Sequence, residues 1–377
     1  MKGKMLSPKS VKMSLRDLAV ATMASILFGV ASTEHTGENY FSTKGNCGRR
    51  HVKTTVSERI VNGTDAEQGD WPWMVGLYSE NDTLHCGGVL ISDQFVLTAA
   101  HCFPNDNISF ISVRMGSTNK SNSADCSGET TPLHVAERIN EPEGNAEPNG
   151  PVLCAEVEDV CVPLQQNCSF FMEDIAIVKL KRPVNFTDYI QPICLPENCD
   201  EPSLSAATYL AGWGLDYEIE ILDSYIFEDS NGDEADEEVS VISFAPSTLN
   251  QINITLIDKT ACQDQLNRTV PDYILCSTGG ACTGDSGGPL VYENNGTWFF
   301  IGIHSGGDEH CYNPNTPGMH IKVSYYVSKF IIAFMELGNN SQVTRSDICA
   351  TDEERVQCVT KLYASHNESV KYDSRNE

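Results

Sequence analysis

Short apolar runs alternate with turn-forming residues along most of the chain from Trp71 onward. Glycine, proline, asparagine and aspartate separate the runs, and these residues favour turns. Runs of four to seven residues that are rich in β-branched and aromatic side chains predict strands. The predicted strands are Trp73–Tyr78, Gly88–Ser92, Phe95–Thr98, Ile111–Met115, Ile175–Leu180, Thr208–Gly212, Asn253–Ile257, Pro289–Tyr292, Trp298–His304 and Gly318–Val323.

Many short strands separated by turn signals predict an all-β barrel or sandwich. The chain shows no regular alternation of strands with helices, which disfavours a parallel sheet. One stretch, Tyr325 to Leu337, has apolar residues at helical spacing. We therefore predict one clear helix, near the end of the strand-rich region.

The first residues have the pattern of a secretory signal peptide. Five cations lie before Leu18, an apolar run of 13 residues follows to Val30, and Ala31-Ser32 offers a small-residue cleavage site. A membrane anchor is the alternative, but a spanning helix needs about 20 apolar residues. We predict a signal peptide over residues 1–31.

Charge and cysteine content narrow the class of protein further. Acidic residues outnumber basic ones 52 to 25, for a net charge of −27, which disfavours nucleic acid or a membrane surface as partner. Fifteen cysteines without CxxC pairs indicate disulfides in an extracellular protein. The glycosylation sequons are Asn62, Asn81, Asn107, Asn119, Asn167, Asn185, Asn253, Asn267, Asn295, Asn339 and Asn367.

A candidate nucleophile lies in Thr278 to Leu290, TGGACTGDSGGPL, where Ser286 stands between glycines directly after Asp285. A serine hydroxyl needs a base to take its proton and donors to hold the oxyanion. The N–H groups of Gly284 and Ser286 are the natural donors. Taken alone, such a stretch is equally compatible with an ordinary glycine turn.

Two further motifs supply the partners that a nucleophilic serine needs. Leu97 to Cys102 (LTAAHC) contains His101, and Asp174 opens an apolar strand. The order His, Asp, Ser excludes the α/β-hydrolases, whose nucleophile comes first. Over about residues 59–338 the chain resembles the chymotrypsin-like (trypsin family) serine proteases. The resemblance implies two six-stranded antiparallel β-barrels, a C-terminal helix and a site in the cleft between the barrels.

The resemblance also implies a role for each site residue. His101 is the general base, Asp174 orients it, and Gly284 and Ser286 bind the oxyanion. The implied activity is that of a serine endopeptidase without a cofactor. Its implied partners are protein or peptide substrates, an activating protease and protein inhibitors. The whole triad is present, so a non-catalytic binding homologue is the less favoured alternative.

The segment Ser57-Glu58-Arg59, followed by Ile60-Val61-Asn62-Gly63, resembles a zymogen junction of that family. Cleavage after Arg59 would free the Ile60 ammonium, and the resemblance implies that this new terminus pairs with Asp285. Such a pair is physically reasonable, since a buried carboxylate needs a charge partner. The predicted organisation is therefore a propeptide at 32–59, a protease domain at 60–338 and a polar tail of unassigned role at 339–377.

Most cysteines receive partners from the resemblance. It implies the disulfides Cys86–Cys102, Cys262–Cys276, Cys282–Cys311 and Cys47–Cys194, the last of which tethers the propeptide. Cys349–Cys358 would close a small loop in the tail. The remaining cysteines are Cys126, Cys154, Cys161, Cys168 and Cys199. Because five is odd, one thiol is free or bridges to another chain.

The resemblance places Gly280 at the floor of the pocket for the P1 residue, with Ser305, Gly307 and Gly318 around it. Without an acid at Gly280, the pocket is predicted to take large neutral side chains at P1. The alternatives are an elastase-like preference and a trypsin-like or narrow cascade protease that uses Asp308 or Glu309. Ser117 replaces the first acidic ligand of a calcium loop, so we predict no metal site.

Two insertions interrupt the family pattern. Residues 118–168 separate His101 from Asp174 and carry four cysteines. Residues 215–239 contain eleven acids and no base. A solvated loop is the favoured interpretation of the second insertion, and an arm that binds cationic partners or metal ions is the alternative.

Overall fold

The computed structural model describes residues 47–51, 63–104, 108, 111–121, 152–164, 173–197, 201–221, 239–279, 282, 284–307, 316–337 and 343–360, without the side chains of 216–221 and 239–244. All of these residues belong to one compact unit, 45–377. The predicted signal peptide, the Arg59-Ile60 junction, Gly280, Cys311 and the Asp308-Glu309 pair lie outside the described residues. No helix in these ranges is long and apolar enough to span a membrane.

The first half of the fold is a closed six-stranded antiparallel barrel. Its strands are connected in the order β2-β3-β4-β7-β6-β5. Every residue of β2 and β4 is buried, because the outer faces of these strands are covered as well as the barrel interior. The strands are β2 Met74–Tyr78, β3 Leu84–Leu90, β4 Phe95–Thr98, β5 Ser112–Met115, β6 Leu153–Cys161 and β7 Ala176–Leu180.

The second half is an antiparallel sheet in the order β1-β11-β8-β14-β15-β16-β13-β12. Only Thr255 separates β11, which pairs with β8, from β12, which pairs with β13, so one stretch of chain lies on both sides of six strand positions and the sheet curves into a second, partly closed barrel. The expected all-β fold with two antiparallel barrels is confirmed. The strands are β1 Thr64–Asp65, β8 Thr208–Gly212, β11 Asn250–Ile254, β12 Leu256–Ile257, β13 Ile274–Ser277, β14 Pro289–Asn294, β15 Thr297–Gly306 and β16 Gly318–Lys322.

Helices are short and peripheral. α1, Lys259–Leu266, begins at Asp258, whose carboxylate accepts hydrogen bonds from the N–H groups of Thr260 and Ala261. Consecutive turns over Val323–Tyr326, Val327–Ile331 and Ile332–Met335 form α2, which confirms the predicted C-terminal helix; the middle turn is a π-helix. Residues 352–360 form a further helix, α3, in the tail.

The structure revises the boundaries of both insertions. Strand β6, Leu153–Cys161, pairs with β5 and β7 and is part of the first barrel, so the last third of the predicted 118–168 insertion belongs to the core fold. In the acidic insertion, β9 (Asp216–Ile221) pairs with β10 (Val239–Phe244) as an antiparallel hairpin. Both ends of that insertion are therefore regular structure.

The tail packs against the first barrel. Cys349 forms a disulfide with Cys161 at the end of β6, so the predicted Cys349–Cys358 pairing is wrong. The backbone explains this pairing, because Leu164 N–H donates to the Ile348 carbonyl and Ala350 N–H donates to the Val162 carbonyl, which lays the tail alongside the barrel. Cys358 is also disulfide-bonded.

Two arginines, Arg345 at the surface and Arg355 in the interior, anchor the tail at other points. Arg345 donates twice to the Asp159 carboxylate, at 3.0 and 3.1 Å. Arg355, 2% exposed, donates to the carbonyl of Phe103, which follows the His101 turn. The tail is thus connected to the strand and the turn that surround the candidate site.

Residues 47–51, which belong to the predicted propeptide, are held against the rest of the fold by a disulfide and a cation. Cys47 bonds to Cys194, as expected. The Arg50 guanidinium lies 4.1 Å from the ring centroids of both Trp71 and Trp298. Burial lowers the pKa of Arg50 to about 10, and the nearby Asp70 carboxylate opposes that decrease.

Candidate active site

His101 and Asp174 meet at the ends of two paired strands. β4 pairs with β7 so that Thr98 lies opposite Ala176. His101 follows β4 on a 3₁₀ turn, and Asp174 precedes β7. Asp174 Oδ2 lies 2.7 Å from His101 Nδ1, and Asp174 Oδ1 accepts the His101 backbone N–H at 2.8 Å. One carboxylate therefore fixes both the ring and the backbone of His101.

A third hydrogen bond completes the surroundings of the carboxylate. The Ser305 hydroxyl donates to Asp174 Oδ2 at 2.5 Å. The sequence indicated Ser305 only as a pocket residue, and this second contact was missed. Since Asp174 is 1% exposed, it relies on these donors rather than on water.

The contact between His101 and Asp174 raises the pKa of the histidine and lowers the pKa of the aspartate. Burial lowers the pKa of His101, but the charge of Asp174 and their hydrogen bond outweigh burial and raise it above the ordinary histidine value. Burial raises the pKa of Asp174, yet His101 and Ser305 bring it below its ordinary value. With Nδ1–H directed at Asp174, the neutral ring carries its lone pair on Nε2, which is the tautomer that a general base needs.

The turn that carries Ser286 is attached to the same strands. Gly87 N–H, on β3, donates to the Ser286 carbonyl at 2.8 Å, and the Thr98 hydroxyl donates to the Gly87 carbonyl at 2.7 Å. Gly287 has φ +77°, and a Cβ there would overlap the Thr98 hydroxyl. A glycine after Ser286 therefore lets the turn approach the strand that leads to His101.

The candidate oxyanion donors are free within this turn. Among the described residues, the N–H groups of Gly284 and Ser286 have no acceptor. Gly284 has φ +100°, a conformation that favours glycine. Ser286 itself is half-buried.

The Asp285 carboxylate lies next to the residues that follow strand β8. Its carboxylate accepts Gly214 N–H at 2.8 Å and Cys282 N–H at 2.9 Å. A Cβ on Gly212 or Gly214 would overlap the carboxylate. Lys120 is near enough for the Asp285 charge to oppose the decrease in the Lys120 pKa that burial causes. Asp285 thus lies in a pocket shaped by glycines and supplied with donors.

Two buried histidines lie close in the chain to residues that the sequence assigned to the P1 pocket. His304 directly precedes Ser305, and His320 lies two residues after Gly318. A Cβ on Gly318 would be 2.8 Å from Ser277 Oγ and 3.3 Å from His320 Nε2. The neighbouring His304 becomes apparent only from the pairing of β15 with β16.

Cysteines near the site serve as cross-links. Cys86, His101 and Cys102 are the only group in the described part of the chain with the donor spacing of a metal site. Cys86 and Cys102 are bonded to each other, which leaves the histidine alone and fixes the turn that carries it. Cys262 bonds to Cys276 as expected. Cys282 is disulfide-bonded too, but its expected partner Cys311 lies outside the described residues.

Comparison with known proteins agrees with this geometry. The family model described as Trypsin matches residues 60–227 and 234–331. The chain is also 31% identical, over 304 residues, to "CLIP domain-containing serine protease B15" of Anopheles gambiae. The aligned region covers 76% of this chain and 71% of that protein. The matched ranges contain His101, Asp174 and Ser286. The chain belongs to the trypsin family of serine proteases and is a serine-type peptidase.

Proposed function

We propose that the protein is an endopeptidase that forms an acyl-enzyme on Ser286. The observation that carries the proposal is the double hydrogen bond from His101 to the buried Asp174, beside the turn that holds Ser286. This arrangement supplies a base in the required tautomer, because Asp174 occupies the Nδ1 side of the ring.

The proposed reaction follows from these positions. His101 Nε2 takes the Ser286 proton while the serine oxygen bonds to the scissile carbonyl carbon. The N–H groups of Gly284 and Ser286 hold the resulting oxyanion. His101 then gives the proton to the leaving amine as the C–N bond breaks, and a water molecule repeats the sequence on the acyl-enzyme.

We further propose activation by cleavage after Arg59. The new Ile60 ammonium would be the charge partner of Asp285, whose pocket already supplies two backbone donors. The Cys47–Cys194 bridge and the stacked Arg50 would keep the cut propeptide attached. Assembly of the site would then depend on an activating protease.

Secretion and glycosylation are part of the proposal. A signal peptide over 1–31 and the disulfides are their main support. Sequon exposure adds to it, because five of the six described sequon asparagines are exposed at the surface. These are Asn81, Asn185, Asn253, Asn267 and Asn295.

For the P1 residue, the absence of an acid at Gly280 supports a preference for large neutral side chains over arginine or lysine. That inference uses the glycines alone.

The test uses the secreted full-length chain, cleaved after Arg59, with Ser286→Ala as the matched control. We expect turnover of peptide amides by the cleaved chain and at least about a thousandfold loss in the variant. No turnover on any substrate by a folded, cleaved chain would refute the catalytic proposal and favour a binding protein.

A further inference from the structure

The tail contributes a buried cation to the interior of the fold. Arg355 lies on helix α3 and is 2% exposed, whereas the three residues before it on the helix are exposed. Its guanidinium donates a hydrogen bond to the Phe103 carbonyl and lies 3.5 Å from Asp352 Oδ1. Arginine is almost never fully buried unless it has partners. The contact with Phe103 therefore indicates what the buried arginine does.

The carbonyl that accepts this hydrogen bond ends the turn of the candidate base. His101 lies on the 3₁₀ turn Ala100–Cys102, and Phe103 directly follows it. Phe103 N–H donates back to the Ala100 carbonyl at 3.1 Å, which closes the turn. Phe103 is 1% exposed, and a buried carbonyl needs a donor. Arg355 supplies that donor two residues away from His101.

The helix that carries Arg355 has a well-defined start. Thr351 N–H donates to the Glu354 carboxylate at 2.8 Å, and Glu354 N–H donates to the Thr351 hydroxyl at 3.2 Å. This reciprocal pair is a capping box. Arg355, Cys358 and Val359 form the buried face of the helix. The direction of the arginine is therefore fixed by the helix rather than by a loose chain end.

The same tail is fixed to the strands that lead to Asp174. Cys349 is bonded to Cys161 of β6. Cys161 lies opposite Ile177 of β7, the strand that begins just after Asp174. Between Cys349 and Arg355 the tail thus reaches from the strand pair beside the acid to the turn that carries the base.

The geometry of the base depends on how these elements are held together. His101 Nδ1 and Asp174 Oδ2 are 2.7 Å apart, yet one lies on a turn and the other at the start of a strand. The Cys86–Cys102 disulfide fixes the middle of the turn. Arg355 fixes its end. A shift of that end would move the imidazole relative to the carboxylate.

We propose that Arg355 is a positioning residue for the peptidase reaction, through which the C-terminal tail holds the His101 turn against Asp174. The proposal rests on the proposed peptidase function, because only a working base has a catalytic geometry to maintain. Arg355 acts through Phe103 rather than on the substrate. The tail, which follows the part of the chain that resembles the protease family, thereby gains a role in catalysis.

Three full-length variants test the proposal. Arg355→Met removes the donor but keeps a long side chain, and Arg355→Lys keeps both a donor and the charge. Arg345→Met is the matched control from the same tail. Arg345 donates to the Asp159 carboxylate and to the Val160 carbonyl, and both partners lie on β6 rather than on the turn of the base. All chains are cleaved after Arg59, and rates are expressed per titrated active site so that misfolded protein is not counted.

The expected result is a loss in kcat rather than in substrate binding. A misplaced catalytic group lowers the rate strongly, so Arg355→Met should reduce kcat about tenfold to a hundredfold. Its KM, and both constants of Arg345→Met, should stay within about twofold of the parent. Arg355→Lys should recover most of the lost kcat. A parental kcat in Arg355→Met, or an equal loss in Arg345→Met, would overturn the proposal.

A second measurement reports the position of His101 without turnover. The short hydrogen bond to Asp174 shifts the resonance of the His101 Nδ1 proton to low field in the NMR spectrum. In chains that also carry Ser286→Ala, this resonance should move or disappear with Arg355→Met and return with Arg355→Lys. Arg345→Met should leave it in place. If Arg355→Met is not secreted, Arg355→Gln, which is neutral and shorter, replaces it with the same expectations.

The outcomes distinguish this inference from the proposed function. If the cleaved parent hydrolyses peptides but the low-field resonance is unchanged in Arg355→Met, the positioning role fails and the peptidase proposal stands. If the cleaved parent hydrolyses no peptide, the peptidase proposal fails and the catalytic role of Arg355 fails with it.

Discussion

Replacing Asp174 by asparagine tests how the carboxylate acts on His101. Three donors converge on Asp174: the His101 backbone N–H, the His101 ring and the Ser305 hydroxyl. An amide has one acceptor oxygen. The backbone N–H cannot turn away, so it would retain the oxygen, and the amide NH₂ would face the ring.

The consequence is a change of tautomer. An NH₂ group facing Nδ1 requires a lone pair there, which moves the ring proton to Nε2 and removes the base from Ser286. In proteases of this class such a change lowers kcat by about 10⁴, equivalent to about 5 kcal/mol of barrier. We expect Asp174→Asn to show a loss of that size with little change in KM.

The assay is steady-state hydrolysis of a peptide amide by the cleaved chain between pH 6 and 10. Ser305→Ala is the companion variant, because it removes one donor from Asp174 but leaves the His101 tautomer intact. Its loss should be far smaller than that of Asp174→Asn. If Asp174→Asn retains activity within tenfold of the parent, the assignment of Asp174 as the orienting group is refuted.

Three further predictions concern the pKa of the base, the Asp285 pocket and the tail. The kcat/KM profile should fall on the acid side with a midpoint above the ordinary histidine pKa of about 6.5, because the Asp174 charge raises the pKa of His101. Below that pKa the ring is protonated and can no longer act as a base. A midpoint below about pH 6 would contradict this. In Gly214→Ala the new methyl group should overlap the Asp285 carboxylate and abolish activation by cleavage. Active-site titration of the cleaved parent and the cleaved variant measures this. Equal numbers of active sites in the two proteins would exclude a role for the Asp285 pocket. Replacing Cys161 and Cys349 together by alanine should lower the free energy of unfolding by about 2–5 kcal/mol, measured by denaturant titration, and an unchanged midpoint would mean that the tail does not brace the barrel.

Much of the fold could be predicted because apolar strands and the turn residues between them are recognisable in short stretches of sequence. β4 and β7 are almost wholly apolar, β14 begins with an apolar run, and all three lie close to their predicted positions. β6 escaped prediction because its sequence, LCAEVEDVC, places acids among the apolar residues. Only its pairing with β5 and β7 makes that strand recognisable.

Partners that are distant in sequence were harder to predict. Cys349 and Cys358 are close enough in sequence to suggest a local loop, but the tail runs along β6 and brings Cys349 to Cys161. Likewise, His304 and His320 face each other because of the β15–β16 register, which neither strand specifies alone. Both the Cys161–Cys349 disulfide and the His304–His320 contact depend on how distant segments pair in the folded protein.

The most direct test of the central claim is to map the residue that a fluorophosphonate modifies, because this reagent reacts with an activated serine. The full chain is treated before and after cleavage at Arg59, digested, and examined by mass spectrometry. The account predicts modification of Ser286 alone, at least about tenfold faster in the cleaved chain than in the uncleaved one. Modification of a different serine, or none at Ser286 after verified cleavage, would contradict it.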